Sequence, residues 1–192
     1  MAIRVVLSDA NELIPRTPRD YLVFLAVSGA IDLRWSPGIW AEVSRNLRAK
    51  FGFSSADIQV LENRLEVALP HSEVQPAPDD NYLAALSGAD EKDEHVVAAA
   101  LAVRADVLLT ENISDFPREW LKDRKIELLN LGELLIRVGT TQPREFIWAH
   151  RQVIANSRKP EVEILSTLEQ TVGADIIRTI SSILNGSTGV RF

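Results

Sequence analysis

The fold class is indicated most clearly by residues 93–110, DEHVVAAALAVRADVLLT. An alanine-rich helix over 93–104 is followed there within two residues by an apolar strand over 107–110. This order is the helix-to-strand half of a βαβ unit, in which a helix connects two parallel strands. The same alternation of strands and helices with short links continues on both sides of the segment. It indicates a parallel sheet covered by helices on both faces.

Three further apolar runs are predicted strands, at residues 3–7 (IRVVL), 31–35 and 126–129. Proline and serine residues stand where helices begin, and Gly29, Gly52 and Gly139 stand where helices are expected to end. A connection over 70–80 contains three prolines and is expected to be long and irregular, with at most a short strand near Val74.

The character of the chain changes after Gly139, because no further strand pattern appears and three helical stretches follow. We therefore expect a three-layer α/β/α sandwich with a parallel sheet over residues 1–138. A C-terminal all-helical extension is expected over residues 139–192.

The composition is that of a globular protein, with 46% hydrophobic and 25% charged residues in 192. The chain has no cysteine, which excludes disulfides, thiolate zinc sites and a cysteine nucleophile. No apolar run approaches the roughly 18 residues of a membrane span, so a cytoplasmic protein without membrane contact is expected. A net charge of -6 argues against a non-specific coat on nucleic acid, yet it is compatible with a nuclease whose acidic site is neutralised by metal.

Four acidic residues stand where a predicted strand ends or a helix begins: Asp9, Glu42, Asp93 and Asp115. In a parallel α/β sheet the carboxyl ends of the strands open onto one edge, and ligands bind there. Acids that are distant in sequence are therefore expected to lie near one another. Clustered carboxylates favour Mg²⁺ or Mn²⁺, the cofactor expected here.

Such a site hydrolyses phosphodiesters without a Ser, Cys or His nucleophile, because a bound divalent ion activates water and stabilises the charge that develops on the phosphate. This fits a chain with only three histidines, His71, His95 and His150, which lack metal-binding spacing. His95 is expected to be structural or exposed. Several arginines, among them Arg16 and Arg19, are candidates for contacts with the phosphates of a bound nucleic acid or simply solvated charges.

Four segments in this order resemble the PIN-domain ribonucleases, and in particular the VapC-like toxins of type II toxin-antitoxin systems. They are VVLSDAN at 5–11, WSPGIWAEVSRNL at 35–47, KDEHVVAAAL at 92–101 and LLTENISDFP at 108–117. The resemblance covers residues 1 to about 135. The helical extension is similar, more loosely, to one found in a subset of these toxins.

The resemblance implies a site made of the four acids as metal ligands and of two polar residues, so that the catalytic set is Asp9, Glu42, Asp93, Thr110, Asn112 and Asp115. It also implies an endoribonuclease acting on structured RNA such as tRNA, held inactive by a cognate antitoxin protein, as a homodimer or a toxin-antitoxin hetero-oligomer. Glu111 departs from the family pattern by adding an acid inside the last motif.

Other interpretations stay open at this point. Asp9 and Asp93 also suit helix caps, Glu42 suits a solvated helix face, and Asp115 suits a turn before Pro117. A PIN scaffold that binds RNA or a protein without cleaving RNA is the main alternative function. A receiver-type signalling domain is disfavoured, because Asp9 has no paired acid on the first strand and the loop after residue 110 has no lysine.

Overall fold

The computed structural model describes residues 5–186, and its centre is a four-stranded parallel sheet. The strands are β1 (Val5–Ser8), β2 (Asp32–Arg34), β3 (Val107–Leu109) and β4 (Glu127–Leu129), in the spatial order β2-β1-β3-β4. Every described strand pair is parallel, and the register places Ser8 beside Leu109. The expected three-layer α/β/α architecture is confirmed.

The chain reverses its direction of progress across the sheet between β1 and β3. From β1 it moves outward to β2, and from β3 it moves outward on the other side to β4. Ligands of open α/β sheets bind at such a switch point, beyond the carboxyl ends of the two strands. Here these positions are occupied by Asp9 and Thr110.

Eleven α-helices surround or extend the sheet in the described residues. They are α1 (Ala10–Leu13), α2 (Arg16–Val27), α3 (Pro37–Phe51), α4 (Ser55–Ala68), α5 (Pro78–Ala85), α6 (Glu94–Ala102), α7 (Arg118–Asp123), α8 (Leu131–Thr141), α9 (Pro143–Ser157), α10 (Glu161–Val172) and α11 (Ala174–Gly186). A 3₁₀ turn spans Ile113–Asp115.

Local sequence explains most of these boundaries. Gly52 ends α3 in the left-handed conformation at φ 69°, and Ser54 begins α4 with a capping box that includes Asp57. In β3 all three residues are buried, which agrees with an apolar run on a central strand.

The structure corrects the predicted boundaries in two places. The connection after α4 contains helix α5, and its strand-like part is a single bridge between Trp35 and Glu73. Gly139 does not end α8, which continues to Thr141. A Cβ atom at Gly139 would lie 3.1 Å from Cδ1 of Ile183, so this glycine permits close packing of α11. The predicted strand residues 3 and 4 lie outside the described residues.

The three C-terminal helices pack onto the body of the protein. Phe146, Ala149 and Val153 of α9 are buried, and Tyr21 of α2 forms a 2.6 Å hydrogen bond with Nδ1 of His150. Helix α8 crosses the predicted boundary at residue 138, and that boundary stays a prediction. Between residues 5 and 186, no helix is long and apolar enough to cross a bilayer.

Candidate metal centre

Asp9 lies at the end of β1 and forms the N-cap of α1. Its side chain is buried, and its Oδ1 accepts a hydrogen bond from the Ala10 amide at 2.6 Å. Burial raises the pKa of Asp9 and the charge of Glu42 raises it further, whereas hydrogen bonds from Thr110 and Ala10 act in the opposite direction. The capping role is therefore real, but it uses only one of the two carboxylate oxygens.

Thr110 fixes the second oxygen of Asp9. It is fully buried at the end of β3, and its hydroxyl donates to Oδ2 of Asp9 at 2.9 Å. The same hydroxyl accepts the backbone N–H of Asn112 at 3.1 Å. Thr110 thus ties the carboxyl ends of β1 and β3 together, while the exposed Asn112 contributes its backbone to this contact.

Asp93 and Asp115 come from separate segments and face the same cation. The ammonium nitrogen of Lys92 lies 3.7 Å from Oδ2 of Asp93 and 3.6 Å from Oδ2 of Asp115. It also lies 4.0 Å from Oδ2 of Asp90. The pKa of Asp93 is raised, first by burial and then by the charges of Asp9 and Asp115, against the effect of Lys92. The structure therefore brings Asp9, Asp93 and Asp115 within electrostatic range of one another.

Glu42 is the fourth predicted acid, and it lies on helix α3. It is half-buried on α3, and its charge acts on Asp9. The cap of α3 explains its placement, because Ser36 accepts the Ile39 amide and starts the helix beside the edge of the sheet.

His95 and Gly38 form the contact between α6 and α3 next to these acids. Nδ1 of His95 is 2.8 Å from the Lys92 carbonyl, so it carries the hydrogen, and the buried Nε2 has no hydrogen-bond partner. A Cβ atom at Gly38 would lie 2.9 Å from Cδ2 of His95. His95 therefore has the expected packing role and also presents an unused nitrogen.

Glu12 is the residue that the sequence prediction missed. It follows Asp9 by three residues on α1, is 1% exposed, and has a pKa raised to about 8 by burial and by the charges of Glu111 and Asp9. The available signal was an acid set between the core positions Ala10 and Leu13. Glu111 itself lies on the surface, and its Oε1 accepts the Leu131 amide at the start of α8.

The residues present fit a hard divalent cation by their chemistry. All the acids offer oxygen ligands, which Mg²⁺ and Mn²⁺ prefer. Oδ2 of Asp93 is buried without a hydrogen-bond partner. The Lys92 ammonium beside Asp93 and Asp115 shows that these carboxylates attract a cation. In this arrangement, however, no three acidic or histidine side chains of residues 5–186 are spaced to bind one ion. Side-chain rotation is thus required for a shared ion.

The family is shown by comparison with protein-family models. The PIN domain model matches residues 4–114, more than half of the chain. No curated protein and no solved structure shows significant similarity. The parallel sheet and the matched range define an α/β protein with a PIN domain. The chain belongs to the PIN domain family, whose members are generally nucleases dependent on Mg²⁺ or Mn²⁺.

Proposed function

We propose that this protein is a metal-dependent endoribonuclease that hydrolyses phosphodiester bonds in structured RNA such as tRNA. The observation that carries the proposal is the meeting of Asp9, Asp93 and Asp115 at the switch point of the sheet, with an ammonium between two of them. Asp9 and Asp115 are more than a hundred residues apart in sequence, and carboxylates that lie close together repel one another. A role as a helix cap or in a turn would not require these side chains to be near each other.

Each residue has a distinct role in this proposal. Asp9, Glu42, Asp93 and Asp115 hold Mg²⁺ or Mn²⁺, and Thr110 orients Asp9 through its 2.9 Å hydrogen bond. Asn112 stands beside them on the exposed side, where its amide meets the RNA backbone. The bound ion supplies Lewis-acid stabilisation of the phosphate and lowers the pKa of water.

The partner of the site is a basic segment of a cognate antitoxin, and the nuclease is the toxin of the pair. Support comes from Lys92, which already places a cation between Asp93 and Asp115. A lysine or arginine from a second chain satisfies the same carboxylates and keeps the metal out. The proposal includes a cytoplasmic protein that forms homodimers alone and hetero-oligomers with the antitoxin.

The test is cleavage of total RNA by the full chain in Mn²⁺ or Mg²⁺, followed by mapping of the new 5′ ends. Wild-type protein is expected to produce discrete ends that are absent without metal and absent with Asp9→Asn. The mapped ends also identify the substrate RNA. For the toxin role, growth arrest after expression of the wild type, but not of Asp9→Asn, is the expected result.

One observation favours a second function, a PIN scaffold that binds RNA or protein without cleaving it. Lys92 neutralises Asp93 and Asp115 internally, and no described group of three side chains is spaced for a metal. RNA binding by the wild type without metal-dependent cleavage of any RNA would support the scaffold. Conversely, cleavage lost on Asp9→Asn would rule it out.

A further inference from the structure

Glu12 is a buried acid that the site described above leaves without a role. The residue is 1% exposed, and neither oxygen of its carboxyl group has a hydrogen-bond partner. Burying an unpaired acid costs several kcal/mol, so buried acids in proteins are normally paired, hydrogen-bonded or bound to a metal. Something that satisfies Glu12 is therefore to be expected.

The ordinary structural explanations do not account for Glu12. Asp9-x-x-Glu12 has the spacing of a capping box, in which Glu12 would accept the Asp9 amide, but that amide donates to the Leu109 carbonyl in the sheet. Arg19, a buried cation on the next helix, donates to the carbonyls of Leu13 and Ile14 instead. Glu12 is thus left without either of these partners.

The location of the carboxyl group points to a cation. The charges of Glu111 and Asp9 raise the pKa of Glu12, and the backbone of Glu111 acts on it in the opposite direction. Glu12 stands in the first turn of α1, and Asp9 at the carboxyl end of β1 is the N-cap of that helix, so the two acids share one turn of the chain. A positive charge at this position would satisfy Asp9 and Glu12 together.

We propose that Glu12 is a further cation-binding residue of this centre and contributes a carboxylate oxygen to a divalent ion held beside Asp9. The inference rests on the proposed function, because it assumes that the centre binds Mg²⁺ or Mn²⁺. An all-oxygen pair of this kind suits either ion. The role differs from that of Asp93 and Asp115, which face Lys92 and lie closer to solvent.

The test is the affinity of the full chain for Mn²⁺ alone, measured by calorimetric titration for wild type, Glu12→Gln and Glu12→Met. Both variants remove the charge, and Met suits a buried position even if Gln does not fold. We expect a Mn²⁺ Kd about 10- to 100-fold higher than that of the wild type in either folded variant. Glu169→Gln, an exposed acid on α10, is the matched control and should leave the Kd unchanged.

The outcomes separate this inference from the proposed function. Wild-type Mn²⁺ affinity in folded Glu12→Gln and Glu12→Met would overturn the role of Glu12 while leaving the nuclease intact. Absence of Mn²⁺ binding by the wild type, together with absence of RNA cleavage, would overturn both. Greater stability of Glu12→Met with weaker Mn²⁺ binding would support the inference, since a merely structural acid has no effect on the ion.

Discussion

Thr110 connects the two strand ends that carry the centre, and its hydroxyl uses both of its hydrogen-bonding functions. It donates to Asp9 and accepts from the Asn112 amide, in a fully buried position. This hydrogen bond also lowers the pKa of Asp9 against the effect of burial. Orientation of a ligand by a neighbouring side chain is a common requirement of metal sites.

Replacing Thr110 by Val should weaken the centre without changing the size of the side chain. Asp9 and the Asn112 amide lose a partner, which costs about 1–3 kcal/mol of stability. Affinity for Mn²⁺ should fall about 10-fold or more. Urea denaturation and Mn²⁺ titration measure the two effects. Thr110→Ser retains the hydroxyl and is the control, and a Val variant with the affinity of the Ser variant would contradict this role.

The pKa of Glu12 gives the metal-free protein a characteristic pH dependence. The folded pKa, about 8, lies above the unfolded value of 4.5, so the folded state holds more protons between these values. The contribution of Glu12 to the free energy of unfolding is therefore fully present below the unfolded pKa. It falls as the pH rises through this window, by up to roughly 1.4 kcal/mol per pH unit. Asp9 and Glu111, the other acids acting here, have raised pKa values and change stability in the same direction.

Denaturation of metal-free wild type and Glu12→Gln between pH 5 and pH 9 measures this effect. The wild type should lose stability with rising pH, and the variant should show a smaller loss, because one of the titrating acids is absent. Parallel stability curves for the two proteins would show that Glu12 does not titrate as described.

The sequence predicted candidate site residues from their positions at the ends of strands and helices. It did not predict which side chains contact one another. Asp9 was predicted because it follows an apolar strand, and Thr110 was predicted from the family resemblance. The register of β1 with β3 sets the two residues side by side. Glu12 and the position of Lys92 were not predicted, since the burial of one and the bridging contacts of the other depend on how α1 and the turn before α6 pack. No local pattern encodes the contacts of Lys92. For Glu12, the acid between Ala10 and Leu13 is a local signal, but it does not identify the groups around the side chain.

The packing of α3 on α6 is the contact between elements on which the centre depends most. Gly38 leaves room for the His95 ring, and the Lys92 carbonyl holds that ring through Nδ1. Any side chain at position 38 must displace the ring or move the helices. Glu42 lies on α3 and Asp93 precedes α6, so such a movement changes the distance between two of the acids.

Gly38→Ala is expected to destabilise the protein by about 1–3 kcal/mol, because a Cβ atom would stand 2.9 Å from Cδ2 of His95. Combining it with His95→Ala should remove most of this penalty, since the clashing atom is then absent. The free energies of unfolding of the two single variants and the double variant form the measurement. Additive effects would show that the His95 ring does not occupy this space.

The sequence predicted those helix boundaries that are determined by residues at the boundary itself. Gly52 was expected to end a helix and ends α3, and of the two serines at 54 and 55 that suit a helix cap, Ser54 caps α4; both act on nearby backbone. Gly139 was misinterpreted, because its role is to admit the side chain of Ile183, a residue of α11 that comes more than forty residues later. Helix α5 was missed because prolines dominate the sequence around it, although Pro78 occupies a first-turn position that helices tolerate.

The C-terminal helices are joined to the rest of the protein by a chain of hydrogen bonds between side chains. Burial raises the pKa of Tyr21, so its phenol stays protonated and donates to Nδ1 of His150. Nε2 of His150 then donates to Glu161 at 3.0 Å. Helices α2, α9 and α10 thus share one hydrogen-bonded chain, although α2 and α10 are far apart in sequence.

Tyr21→Phe should destabilise the whole protein by about 1–3 kcal/mol, because Nδ1 of His150 is left buried without a partner. The variant keeps the ring and its packing. Tyr82, which is 66% exposed on α5, provides the control, and Tyr82→Phe should change stability by less than about 0.5 kcal/mol. Equal effects of the two substitutions in urea denaturation would contradict a structural role for the chain.

We propose that acids at the switch point of the sheet make this PIN domain protein a metal-dependent ribonuclease. The most direct measurement is the rate of cleavage of a labelled structured RNA as a function of Mn²⁺ concentration, for wild type and Asp9→Asn at equal protein concentration. We predict that the wild-type rate rises to saturation with Mn²⁺ and that the variant stays at the background rate. Equal rates in both proteins, or no metal-dependent cleavage by the wild type, would contradict it.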